Sequence, residues 1–251
     1  GVNLGEVSNP SSSILWPWIL AAFEKIGLLL WAPLLINIAC FVMSVRVILR
    51  FALKRLVPDG RSATSALIAL GLCFLAFNLF GVIFTGMEHS LHVLVSVIAV
   101  TRVIEGRYDR VTLAALVLGP LVRFEGALVL ALGVGAALVD RKWVFAAVAA
   151  AVPVACVGFY AMWLGSLGLP VLPSSVLSKS AVSSELVDGG GGMVEGLIAN
   201  FLDNLRMGSA LMLGALIVAL AYAAVRRTGR DRLLALGVIA ALLLAVLLGR
   251  M

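Results

Sequence analysis

The chain has 251 residues, 62% of them hydrophobic and 13% charged, with 19 Lys and Arg against 13 Asp and Glu for a formal charge of +6. A water-soluble domain is about 45–50% apolar and about 25% charged, so this composition supports neither a soluble globular domain nor a disordered chain nor a disulfide scaffold. It fits a polytopic membrane protein, and at about 20 residues per span the length holds at most roughly eight crossings. Cys40, Cys73 and Cys156 each sit inside an apolar stretch, where thiols act as small hydrophobes; their spacing suits neither a metal site nor a disulfide framework.

In chain order, a polar N-terminal segment holding Glu6 leads into 14–23, ILWPWILAAF, which is short for a crossing and carries Trp16 and Trp18. Trp favours the headgroup level, so this stretch reads as an interfacial helix. Apolar runs bounded by charges then place spans at 27–47, 64–84, 88–101, 111–122, 124–139, 143–164, 208–225 and 233–248. Between the last two groups lies a loop at 165–207, with a flexible Gly run at 189–192 and then 193–206, MVEGLIANFLDNLR, whose apolar residues recur at helical spacing. That pattern is an amphipathic helix suited to the membrane interface. No internal repeat is evident. The chain opens at Gly1 with neither an initiator Met nor a signal-peptide pattern, and it reads as a fragment of a longer single transmembrane domain.

Alternate connections differ sharply in charge. One set holds Arg46, Arg50, Lys54, Arg55, Arg61, Arg102, Arg107, Arg110, Arg141, Lys142, Arg226, Arg227, Arg230 and Arg232; the other holds Lys25, Arg123, Lys179, Arg206 and Arg250. By the positive-inside rule the first set is cytoplasmic. The positive charge is thus an orientation signal, and nucleic acid drops out as a partner. The same parity divides 111–139, which would otherwise form one helix with Arg123 and Glu125 near its centre. Two short helices keep both basic flanks inside, although 12 residues rise only about 18 Å against a hydrocarbon core of about 30 Å. Such helices suit a site where their ends meet protein or a water-filled cavity.

Charged residues in or beside spans are functional candidates, and four polar clusters fall on the outer side. The first contains Glu6, Ser8, Asn9 and Ser11; it also reads as a cap for the helix that follows. The second, Thr85 to His92, gathers Glu88 and both histidines of the chain, His89 and His92. The histidines share a helical face, and Glu88 and His92 are spaced to pair. A divalent cation is conceivable here, but a metal site needs a third ligand that the spacing does not supply, so polar substrate contact is the stronger reading. The third is Arg123-Phe124-Glu125-Gly126 at a tight reversal, either a salt-bridged turn or a planar donor for phosphate and sugar hydroxyls. The fourth, Leu169 to Ser180, is extended by Pro170 and Pro173 and carries Lys179, a cation placed for a lipid phosphate or for headgroup anchoring.

In this order and on this side, the clusters resemble the GT-C superfamily of integral-membrane glycosyltransferases, specifically bacterial members that use polyprenyl-phosphate-linked sugars. A G-x-N-x-G-E stretch followed by N-P-S matches Gly1 to Glu6 and Asn9-Pro10-Ser11; a G-M-E start to a span matches Gly86-Met87-Glu88. An R-P-E-G turn resembles Arg123 to Gly126 with Phe124 in place of Pro, and an L-P-N-S-x-x-x-K segment resembles Leu172 to Lys179 with Ser174 in place of Asn. The likeness covers roughly residues 1–180. It implies an all-α polytopic transmembrane bundle, of about eight spans in this fragment, and an inverting transfer of a sugar from a polyprenyl-phosphate donor to a glycan, lipid or protein acceptor on the outer face of the inner membrane. Glu6, Glu88, His89, His92, Arg123, Glu125 and Lys179 are then the substrate-binding candidates. The family's general-base Asp lies upstream of the first motif, so the fragment itself is expected to be inactive. A transporter or flippase is the main rival, but the charges gather at outward turns and no inverted repeat appears.

Overall fold

The computed structural model describes residues 13–56 and 83–169, with isolated positions at 71, 81, 221, 225 and 236–239. Its described regular structure is helical throughout: α1 (Trp16–Glu24), α2 (Ala32–Leu56), α3 (His89–Ile104), α4 (Arg110–Val122), α5 (Gly126–Val139) and α6 (Trp143–Ser166). The expected all-α class holds. Two helices, Ala32–Lys54 and Trp143–Ser166, are long and apolar enough to cross a membrane. The α3, α4 and α5 helices are apolar but shorter; at 1.5 Å per residue they span about 24, 20 and 21 Å.

The described residues fall into two compact units, one within Ser13–Gly133 with Val144–Pro153 and the other including Val134–Trp143 and residues 154–169. In the first, α2 packs on α3, α3 on α4, and α1 touches α2. Side-chain bonds fix the directions. Asn37 Nδ2 near the start of α2 donates to the Ile83 carbonyl (3.2 Å), and Lys54 Nζ near its end meets Glu105 Oε1 (2.9 Å), so α2 and α3 run parallel. Arg102 at the end of α3 donates to Thr112 Oγ1 (3.1 Å) while Glu88 at its start meets Arg123 at the end of α4. The α4 helix therefore returns antiparallel.

The ends of α3 and α4 follow from local chemistry. Gly106 takes φ +76° just past α3, with the Arg107 N–H on the Arg102 carbonyl and the Gly106 N–H on the Val103 carbonyl. This left-handed stop satisfies carbonyls that the helix end leaves bare, and glycine adopts it without Cβ strain. Asp109 then starts α4: its carboxylate accepts from the Val111 and Thr112 N–H groups, the usual task of an N-cap. The capping bond from Thr112, helped by Arg102, holds the Asp109 carboxyl below the ordinary carboxylate range.

Polarity is arranged inside out relative to a soluble bundle. Asn37, Ser44, Glu88, Ser90, Thr112 and Arg123 are buried, while Leu35, Ile38, Val42 and Met43 of α2 are exposed. This is the distribution expected where the surrounding solvent is hydrocarbon. In the second unit, the Tyr160 and Trp163 rings sit 5.8 Å apart, and Phe159 and Met162 are exposed.

Several boundaries differ from the sequence expectation. The helix expected from residue 27 begins at Ala32, because Gly27 takes φ +73° and ends the preceding helix with a turn. It continues to Leu56 rather than stopping near 47, since long basic side chains can carry their charge outward from an apolar helix. Trp16, expected at the headgroup level with Trp18, is buried, whereas Trp18 is exposed. Most of the 64–84 span, of the 165–207 loop and of the spans at 208–225 and 233–248, together with the helix at 193–206 and Cys73, lie outside the described residues.

Candidate polar site at the α3–α4 end

The stretch 111–139 is broken at 123–125, as the two-helix reading requires. Arg123 leaves helical geometry at φ −151°, ψ 139°, and its carbonyl accepts the Gly126 N–H at 2.9 Å. The reversal is tight enough that a Cβ on Gly126 would stand 2.3–2.7 Å from the backbone of Gly119 and Pro120. Gly133 likewise lies against the Leu116 side chain, so α5 first runs back along α4 on small residues. The Leu121 carbonyl, bare at the end of α4, accepts both the Ile14 and Leu15 N–H groups at 3.0 and 3.1 Å, and Ser13 Oγ accepts the Trp16 N–H. The start of α1 is thereby pinned two residues from Arg123.

The Arg123 side chain is buried and joins three partners. Nη1 donates to Glu88 Oε1 at 3.0 Å and to His89 Nδ1 at 2.8 Å, and Nη2 donates to Glu125 Oε1 at 2.7 Å. A guanidinium only donates, so His89 Nδ1 must be the acceptor and the His89 proton sits on Nε2. Glu88 is the N-cap residue of α3, but its side chain makes no capping bond; the carboxylate is committed to Arg123. The two pairs differ in solvent access. The Arg123 and Glu88 side chains are 9% and 4% exposed, whereas Glu125 is 54% exposed.

The structure thus brings together Glu88, His89, Arg123 and Glu125 from two clusters that the sequence places at neighbouring outward turns. His92 lies one turn further along α3, and its buried Nδ1 has no hydrogen-bond partner among the described residues; Glu88, four residues before it, holds Arg123. Glu6 and Lys179 lie outside the described residues. Among the described residues no group of three His, Cys, Asp or Glu is placed to hold a metal. Sequence reasoning overlooked two further polar residues, Asn37 and Ser96, whose Oδ1 and Oγ are buried without partners among the described residues. Their signal was available: each is an uncharged polar residue interrupting an apolar run.

Compared with known proteins, the chain matches no family model, no curated protein and no solved structure.

Proposed function

We infer that this chain is part of a membrane glycosyltransferase that moves a sugar from a polyprenyl-phosphate donor to a glycan, lipid or protein acceptor. In this reading the chain is an eight-span segment of an inner-membrane bundle, and the reaction takes place at the outer face. The observation that carries the reading is the convergence on Arg123 of Glu88, His89 and Glu125, 35, 34 and 2 residues away in sequence, with Arg123 and Glu88 both buried. A structural salt bridge needs one carboxylate. The second carboxylate, Glu125, is 54% exposed, where a substrate can reach the group.

Leaving polyprenyl phosphate requires cations that meet the charge as it develops. Glu88 anchors Arg123, and the exposed Glu125 is the partner a phosphate can displace from Nη2. Lys179, and Glu6 from the first polar cluster, complete the set in this reading. The acceptor hydroxyl is deprotonated by the Asp that the GT-C resemblance puts upstream of this segment, and it attacks the anomeric carbon as polyprenyl phosphate departs.

The test is transfer of radiolabelled sugar from a polyprenyl-phosphate donor by the intact protein in lipid vesicles. Arg123→Ala and Lys179→Ala are expected to lower turnover by about a hundredfold or more, the scale of losing a charge-stabilising donor. Wild-type turnover in both variants refutes the assignment. Absent transfer together with protein-dependent uptake of the sugar into the vesicles supports a transporter instead.

A further inference from the structure

We propose that the polar site continues along α3 beneath Arg123 as a receptor for a hydroxyl group held between His92 and Ser96. His89, His92 and Ser96 follow one another at three- and four-residue steps on α3, and the N-cap Glu88 stands four residues before His92, so they share one side of the helix as a stripe. At the top of that stripe Glu88 and His89 are bonded to Arg123. Below, His92 Nδ1 and Ser96 Oγ are buried and have no hydrogen-bond partner among the described residues. A buried polar atom left unpaired costs more than an ordinary hydrogen bond gains, so a pair of them on one stripe points to a partner that the described residues do not supply.

Ser96 makes the argument specific. A helical Ser or Thr in an apolar setting usually bonds back to the carbonyl three or four residues earlier, and this unit follows the rule elsewhere. Ser44 Oγ donates to the Cys40 carbonyl at 2.7 Å, and Thr101 Oγ1 donates to the Val97 carbonyl at 2.6 Å. Ser96 has the His92 carbonyl at the same spacing and does not use it.

The facing helix offers a third polar atom at that depth. Pro120 lies inside α4 and has no N–H, so the Leu116 carbonyl lacks its helical donor. The Glu88–Arg123 and Arg102–Thr112 bonds set the register of the antiparallel pair, and by that register Leu116 is level with Ser96. A hydroxyl here can accept from Ser96 and donate to His92 Nδ1 or to the Leu116 carbonyl. Water and a sugar share this chemistry. The proposal stands on these polar atoms and does not depend on the transfer reaction.

The chain has two histidines, so labelling histidine with 15N gives two imidazoles, and the His89→Gln variant assigns them. The full chain is reconstituted in bilayers with deuterated acyl chains, and proton and carbon contacts to the His92 ring nitrogens are read by solid-state NMR, first in buffer and then with 13C-glucose. A water contact in buffer supports the receptor with water as its occupant; a glucose carbon contact supports it with a sugar. In either case Ser96→Ala is expected to remove at least half of the contact intensity. A His92 ring that meets neither water nor glucose in the wild-type chain overturns the proposal, as does full contact intensity in Ser96→Ala.

Discussion

Arg123→Gln removes the cation bonded to Glu88, Glu125 and His89, and its cost follows from how deeply each partner is buried. The Arg123–Glu88 pair is nearly sealed, with side chains 9% and 4% exposed. Breaking such a pair from one side strands a buried charge and costs about 3–5 kcal/mol. The Arg123–Glu125 pair ends on a carboxylate that is 54% exposed, where a pair is worth about 0–1 kcal/mol. The expected order of destabilisation is therefore Arg123→Gln first, Glu88→Gln next because Arg123 keeps Glu125 and His89, and Glu125→Gln last. For a chain of this size about 1 kcal/mol moves Tm by roughly 2–4 °C, which puts Arg123→Gln on the order of 10 °C below wild type and Glu125→Gln within a few degrees. Thermal unfolding in lipid nanodiscs, followed by the fluorescence of the 5 Trp, measures all three. The double change Arg123→Met with Glu88→Met replaces the buried pair by apolar volume and is expected to unfold closer to wild type than Arg123→Gln does. A Glu125→Gln cost equal to that of Arg123→Gln, or a double variant weaker than the single one, refutes the division into a sealed and an exposed pair.

Gly126→Ala places a Cβ within 2.3–2.7 Å of the Gly119 and Pro120 backbone, an overpacking expected to cost about 1–3 kcal/mol. Gly135→Ala on the same helix meets nothing within 4 Å and should be neutral or stabilising; equal Tm values for the two variants would remove the close-approach argument. Asp109→Ala forfeits the α4 cap at about 1 kcal/mol. Because capping holds the Asp109 carboxyl below its ordinary value, its contribution is present above about pH 4 and is lost as the pH falls further. Wild type and Asp109→Ala should therefore converge in Tm on acidification, and a constant gap down to about pH 2 contradicts the assignment.

How much of this was legible in the sequence depends on which physics governs each part. Helix content and the break at 123–125 were readable because hydrophobicity and the parity of basic flanks act locally along the chain. Parity required two helices across 111–139, and the structure supplies α4 and α5. Boundaries set by backbone conformation were less visible. Gly27 was read as the first residue of a span, and only its left-handed φ shows that it closes α1. Within the site, the nearness of Glu88 to Arg123 followed from neighbouring outward turns, but the choice of partner did not. Glu88 is spaced to reach His92 along its own helix, yet a full guanidinium charge from α4 is the stronger partner for a buried carboxylate. Asn37 and Ser96 were passed over because attention to formal charge ignores neutral polar atoms. In an apolar bundle these are as informative, since each must find a partner.

The charge of the site decides how a phosphate can use it. In the proposed transfer reaction, with Glu88 and Glu125 both on Arg123, a phosphate would reach the guanidinium where one carboxylate yields. Glu88 is the costly one to displace and Glu125 the cheap one, by the exposure difference already given. In the proposed reaction an arriving phosphate would therefore compete with Glu125 for Nη2 while Glu88 and His89 keep the guanidinium aimed. This predicts that Glu125→Gln, which removes the competitor and leaves a neutral amide, lowers the KM for a polyprenyl-phosphate sugar. The limit is up to about fivefold, the equivalent of the 0–1 kcal/mol exposed pair. Glu88→Gln frees Arg123 to swing away, so it is expected to lower kcat instead. If Glu125 were a ligand for sugar hydroxyls rather than a displaceable counter-ion, Glu125→Gln would raise the KM. The sign of that change, measured in the vesicle transfer assay, separates the two roles.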